Sequence, residues 1–195
     1  MRLTILTTLI LAAVASLPAA TTTYNVDASH SAILWGIQHL GLGNTYGRFN
    51  DFSGTVVFSE DDLANSSVEL TIQVASIDSA SKKRDDHLRN ADFFDAGTHP
   101  TATFKAKGFK AVEGKENHWL VPGELTLRGT TKPIEAAVHL VGKGPHPMAG
   151  NKAAIGFEGE LVIDRTQFGV GQGDISKAVG TDVRLIVSIE AIAAE

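Results

Sequence analysis

The sequence predicts an almost wholly β protein whose sheet closes into a barrel or folds over as a sandwich, and three observations predict it. Apolar residues alternate with period two in about eight or nine segments. The gaps between them are of hairpin length and rich in Gly, Asn and Pro. Only Ser81 to Asn90 carries helical chemistry, with Ser79 or Ser81 as N-cap and no wide apolar face.

Taken in order, residues 1–20 stand apart. Arg2 supplies a positive start, and Leu3 to Leu17 is apolar and ends in small residues before Pro18 and Thr21-Thr22-Thr23, the pattern of a secretory signal. Cleavage is expected between residues 15 and 20, and residues 21–195 form one domain, long enough for one core.

The first strand is Tyr24 to Asp27, followed by alternating Ile33, Trp35 and Ile37 and then Val56 and Phe58. The clearest is Ser67 to Val74, where Val68, Leu70, Ile72 and Val74 share a dry face and Ser67, Glu69, Thr71 and Gln73 a wet one. Ala102, Phe104 and Ala106 repeat the pattern, then Trp119 to Leu127, then Ile134, Ala136, Val138 and Leu140. Ile155, Phe157, Gly159, Leu161 and Ile163 make the next strand, and Val183 to Ala191 the last. Turns are expected at Gly41–Asn44, Glu113–Asn117, Arg128–Thr130 and Gly144–Pro147.

One open sheet of that size would leave an apolar face in water, so it must close or fold over. An eight-stranded barrel is just wide enough to be filled by side chains or to hold one small ligand. Ala102, Ala106, Ala136 and Gly159 on inward faces leave space in such a barrel unless neighbouring rings fill it.

The run Asp85-Asp86-His87-Leu88-Arg89-Asn90-Ala91-Asp92-Phe93-Phe94-Asp95 interrupts the sheet. Adjacent phenylalanines serve two apolar surfaces only if the backbone turns or lies between those surfaces, which suits a lid or mouth. The adjacent acids Asp61-Asp62 and Asp85-Asp86 read as solvated pairs.

Other classes lose support. Acids outnumber bases 22 to 17, and without Arg2 the bases fall to 16 and the net charge moves from -5 to -6, so nucleic acid is not an expected partner. There is no cysteine, hence neither a disulfide nor a cysteine nucleophile. The chain has no Gly-x-Ser-x-Gly elbow and no His-Glu-x-x-His zinc motif. His30, His39, His87 and His99 lack ligand spacing, so neither a metal site nor catalysis is expected. Asp164, Arg165 and Arg128 read as structural, Asp164 ending a strand and Arg165 bracing the Phe168-Gly169 turn.

Four ordered signatures resemble the YceI-like family of periplasmic lipid- or polyisoprenoid-binding proteins. They are Tyr24-Asn25-Val26-Asp27-Ala28-Ser29-His30-Ser31 with Trp35-Gly36-Ile37-Gln38-His39; His87 to Asp95; Gly123 to Pro133; and Ile163-Asp164-Arg165-Thr166-Gln167-Phe168-Gly169. Thr130, and the Gly144–Asn151 loop, depart from the family pattern. The resemblance implies an extended antiparallel eight-stranded lipocalin-like barrel with one short helix, exported to the periplasm, that holds a long isoprenoid chain such as a quinone tail or polyprenyl lipid. No cofactor is expected beyond such a ligand.

Large side chains on strand faces or in the lid-like run are the candidate ligand contacts: Ile33, Trp35, Ile37, Phe49, Phe52, Phe93, Phe94, Phe104, Trp119 and Phe168, with His39 and His87 at the rim. Transient membrane contact and a monomer or homodimer go with this reading. Two alternatives stand beside it: an enzyme acting on isoprenoid lipids, and a stress-associated interaction module whose barrel is solid.

Overall fold

The computed structural model describes residues 21–194. The apolar leader expected at residues 1–20 lies outside them. The strands, in chain order, are β1 (Thr22–Val26), β2 (Ala32–His39), β3 (Gly43–Phe49), β4 (Phe52–Phe58), β5 (Ser67–Gln73), β6 (Ile77–Asp78), β7 (Thr101–Lys107), β8 (Lys110–Ala111), β9 (His118–Leu127), β10 (Thr130–His146), β11 (Lys152–Asp164) and β12 (Val179–Ala193). One helix, α1 (Lys82–Arg89), lies between β6 and β7.

Pairing closes the sheet into an antiparallel barrel of eight staves. Three staves are bent. β1 and β2 lie end to end along one edge of β12, which pairs with β1 through Ala191–Ala193 and with β2 through Val179–Ser188. In the same way β4 pairs β1 while β3 pairs β2, and β5 pairs β4 while β6 pairs β3. The ring is completed by β7, β9, β10, β11 and β12. The bends fall at Asp27–Ser31, at Asn50–Asp51 and in the 3-10 turn Val74–Ser76. Val74, expected as a strand residue, is buried in that turn.

The expected alternation has a simple cause: one face of each stave is dry. Val68, Leu70 and Ile72 of β5 face the interior together with Phe104 of β7, Leu125 of β9 and Leu185 of β12. Across the β2–β3 pair the indole of Trp35 lies over Gly47, where an added Cβ would stand 2.3 Å from the Trp35 ring. Only glycine admits that ring. Arg128 and Gly129 form the tight β9–β10 turn, both with positive φ, at 49° and 72°. β10 continues to His146, through most of the Gly144–Pro147 segment expected as a turn, because Lys143, Gly144, Pro145 and His146 all stay in register with β11.

The helix follows the expected span with a different anchor. Ser81 is its N-cap by position but makes no side-chain cap. Asp85 is buried rather than solvated: its Oδ1 accepts the Ser79 amide at 2.9 Å and the Ser79 hydroxyl. Arg89 donates to the carbonyls of Ala75 (2.8 Å) and Ile77 (2.7 Å), tying the helix to the bent β5–β6 stave. Asp62 also has a local partner, accepting from the Asn65 amide and side chain.

Candidate functional site: an apolar lumen with a capped mouth

The barrel is hollow. An outer chamber of about 420 Å³ opens at one end, and an inner chamber of about 130 Å³ lies deeper. Ile33, Ile72, Leu125 and Leu185 line both, so the two chambers lie next to each other along the barrel axis. Along β11 the lining passes from Ile163 through Leu161 and Gly159 to Phe157, about 20 Å of strand at about 3.3 Å per residue. The floor is aromatic: Phe58 meets Phe109, Trp119 and Phe157 with ring centroids at 5.6, 5.2 and 5.1 Å. The Trp119 and Phe157 rings stand edge-to-face to Phe58 and the Phe109 ring is tilted, so aromatic packing forms the inner end.

The mouth is capped by α1 and the turn that follows it. Backbone amides of Phe93 and Phe94 donate to the carbonyls of Asn90 and Leu88, and Asp95 takes φ 49°. This turn directs both rings into the outer chamber. Phe93 is buried, and its ring meets His87 edge-on at 5.0 Å; Phe94 meets Phe49 edge-on at 6.0 Å. His87 Nε2 also pairs with Asp92 Oδ2 at 3.0 Å, with both side chains half-exposed.

Two arginines fix the mouth. The guanidinium of Arg165 is buried and donates to the carbonyls of Val170 (2.6 Å), Gly171, Val179 (2.8 Å) and Gly180 (2.8 Å), which folds the 165–180 loop around it. Burial pushes its ionisation down, and neighbouring Asp164 opposes that. The Phe168-Gly169 turn is braced by Arg128 instead, which donates to the Gly169 carbonyl and to Ala91 (2.7 Å) in the capping turn. Asp164 accepts the Thr166 hydroxyl at 2.6 Å and amide at 2.8 Å, which hold its carboxyl below the usual range.

Of the residues singled out from the sequence, Ile33, Trp35, Ile37, His39, Phe49, His87, Phe93 and Phe94 line the outer chamber, and Phe104 lines the inner one with Ile33. Phe52, Trp119 and Phe168 are buried in the wall and floor and line neither chamber. Phe94 and Phe93 face inward from the capping turn rather than standing at an exposed rim. Ala102, Ala136 and Gly159 line the lumen, whereas Ala106 is packed. The residues missed include the aliphatic Ile72, Ile77, Leu125, Val183 and Leu185 and the polar Thr45, Arg84 and Arg165. The signal for the aliphatic ones was the strand alternation itself, since Ile72, Val183 and Leu185 stood on the dry faces already marked. The indole Nε1 of Trp35 is buried without a hydrogen-bond partner among the described residues.

An eight-staved barrel hollowed into two adjacent apolar chambers, with these signatures at its mouth, agrees with a match to the YceI-like domain over residues 24–191. The chain belongs to the YceI-like family. It is similar to the YceI protein of Escherichia coli O157:H7, 38% identical over 171 residues that cover 87% of this chain and 86% of the relative. Among solved structures it is similar to Burkholderia cenocepacia BcnA, at 30% identity and a TM-score of 0.76, covering 85% of this chain and 99% of that one. It also shares its fold with a polyisoprenoid binding domain from Saccharophagus degradans, at 17% identity and a TM-score of 0.67, covering 89% and 99% of the two chains.

Proposed function

We propose that this YceI-like protein is a non-catalytic binding protein that holds one long-chain isoprenoid lipid, of quinone or polyprenyl type, along the barrel axis. The apolar lumen carries this reading. An outer chamber of about 420 Å³ falls within the roughly 300–1,000 Å³ of small-molecule sites. Each buried methylene is worth about 0.8 kcal/mol, so about ten give roughly 8 kcal/mol before association and ordering costs. Dispersed apolar contact therefore suffices to hold a chain.

The lining supports holding over reacting. Its polar members are His39, Thr45, Arg84, His87 and Arg165, with no carboxylate, serine or cysteine among the described residues. Arg165 is committed to loop carbonyls. The polyisoprenoid-binding description of a protein of the same fold points the same way. At the mouth, the β2–β3 turn exposes Leu40 and Leu42, a greasy tip suited to touching a bilayer while a lipid enters. Export to the periplasm is part of this reading, and the leader-like pattern of residues 1–20 is what supports it.

Solvent extraction and mass spectrometry of purified protein test the reading. A stoichiometric long-chain isoprenoid is the expected result. Protein that carries none, and takes none up from vesicles, overturns it.

A further inference from the structure

A second constellation lies away from the lumen. Asp27 and His30 sit in the β1–β2 bend, His146 ends β10, and Glu190 lies in β12; one ligand atom from each comes within 4.8 Å of all the others. None of the four lines either chamber. Along β12 Glu190 follows Ile189, a lining residue of the inner chamber, so the cluster stands beyond the lumen's deep end.

The donors are arranged in two carboxylate–imidazole pairs. His30 Nδ1 lies 2.8 Å from Asp27 Oδ2, and His146 Nε2 lies 3.0 Å from Glu190 Oε1. The imidazole rings themselves approach to 6.3 Å between centroids. The backbone holds them in place. The Asp27 amide donates to the Glu190 carbonyl at 2.8 Å, and the Glu190 amide donates to Ser31 Oγ at 2.9 Å. Ser29 gives its amide and hydroxyl to Asp27 Oδ1, at 2.9 and 2.6 Å, leaving Oδ2 for the cluster. Such outer partners are what orient metal-binding carboxylates.

One atom remains unexplained by hydrogen bonding alone. His146 Nδ1 is buried with no partner among the described residues, so rotation or reorientation of this ring forfeits no bond at that nitrogen. Tetrahedral ligands at about 2.1 Å from a zinc-sized ion stand about 3.4 Å apart, so closing on an ion asks each side chain for about an ångström of movement. His30, with 47% of its side chain exposed, leaves a way in from solvent.

We propose that Asp27, His30, His146 and Glu190 form a binding site for a first-row divalent cation of the zinc type. Imidazole nitrogens with carboxylate oxygens and no thiolate are the donor set of such ions, whereas magnesium and calcium take oxygen alone. Bound there, the ion clips the β1–β2 bend, the end of β10 and β12 together, independently of what the lumen holds. Its role is structural.

Cobalt titration of chelator-treated protein without a polyhistidine tag tests the site. Saturation near one equivalent is expected, with the visible bands of four- or five-coordinate cobalt, and zinc should displace them. His146→Ala and Glu190→Gln should each weaken binding by about tenfold or more, with circular dichroism and lipid content unchanged. Zinc added to the parent protein should also move the imidazole NMR signals of His30 and His146, which needs no variant to fold. A weak six-coordinate spectrum without saturation, unmoved imidazole signals, or undiminished binding by His146→Ala would each overturn the assignment.

Discussion

Phe94, from the turn after the helix, meets Phe49 of β3 edge to face with ring centroids 6.0 Å apart, and this contact joins the cap to the barrel wall. Phe93 beside it is nearly sealed, at 7% exposure, so the neighbours carry different loads. Phe93→Ala is expected to cost about 3–5 kcal/mol, the usual range for a large buried ring, and Phe94→Ala clearly less. Retained lipid should fall in Phe94→Ala without collapse of the fold. Urea denaturation with extraction of bound lipid checks this, and equal destabilisation by the two changes would contradict it.

Ala136 lines the inner chamber, whose volume of about 130 Å³ leaves room for a larger side chain. Ala136→Leu should fill it at a cost under about 1.5 kcal/mol, because the added carbons enter space rather than neighbours. A tail whose end reaches that depth is then shortened out. The expected outcome is a shift of the extracted lipid toward shorter chains; an unchanged distribution would mean that the tail stops in the outer chamber.

The staves were legible in sequence because each has one wet and one dry side, as at Ser67 to Gln73. The bends were not. That β1 and β2 lie along the same edge of β12 is a non-local pairing, and the turn at Asp27–Ser31 gives no hint of it. The burial of Asp85 depends on Ser79, six residues back and just past the end of β6. Alternation also cannot separate lumen from solid wall, since Phe104 and Phe52 stand on equally dry faces and only Phe104 borders space. His146 and Glu190 escaped for a related reason: the sequence places them far from Asp27 and His30, and only barrel closure brings them together.

Leu42 at the tip of the β2–β3 turn is 88% exposed and packs on nothing that a polar residue would disturb. Leu42→Glu should change stability by no more than about 0.5 kcal/mol. If that tip touches the bilayer, transfer of lipid from vesicles should slow several-fold, and more on anionic than on neutral membranes. Stopped-flow transfer measurements decide it. An unaltered rate would remove the turn from the entry route.

Asp164 predicts how the mouth responds to acid. Hydrogen bonds from the Thr166 hydroxyl and amide hold its carboxyl below the ordinary carboxylate value of about 3.9. A value lowered by folding means that its contribution is fully present above the ordinary value and is lost as pH falls through the lowered one. Protonation there loosens the turn that carries Arg165, and with it the 165–180 loop that this guanidinium gathers. The melting temperature of the parent should therefore fall more steeply than that of Asp164→Asn between about pH 4 and pH 2, while the two run parallel from pH 5 to 8. The variant starts lower, since an amide oxygen is the weaker acceptor for the Thr166 donors. Profiles of identical slope through the acid range would show that the carboxylate charge contributes nothing to holding the mouth.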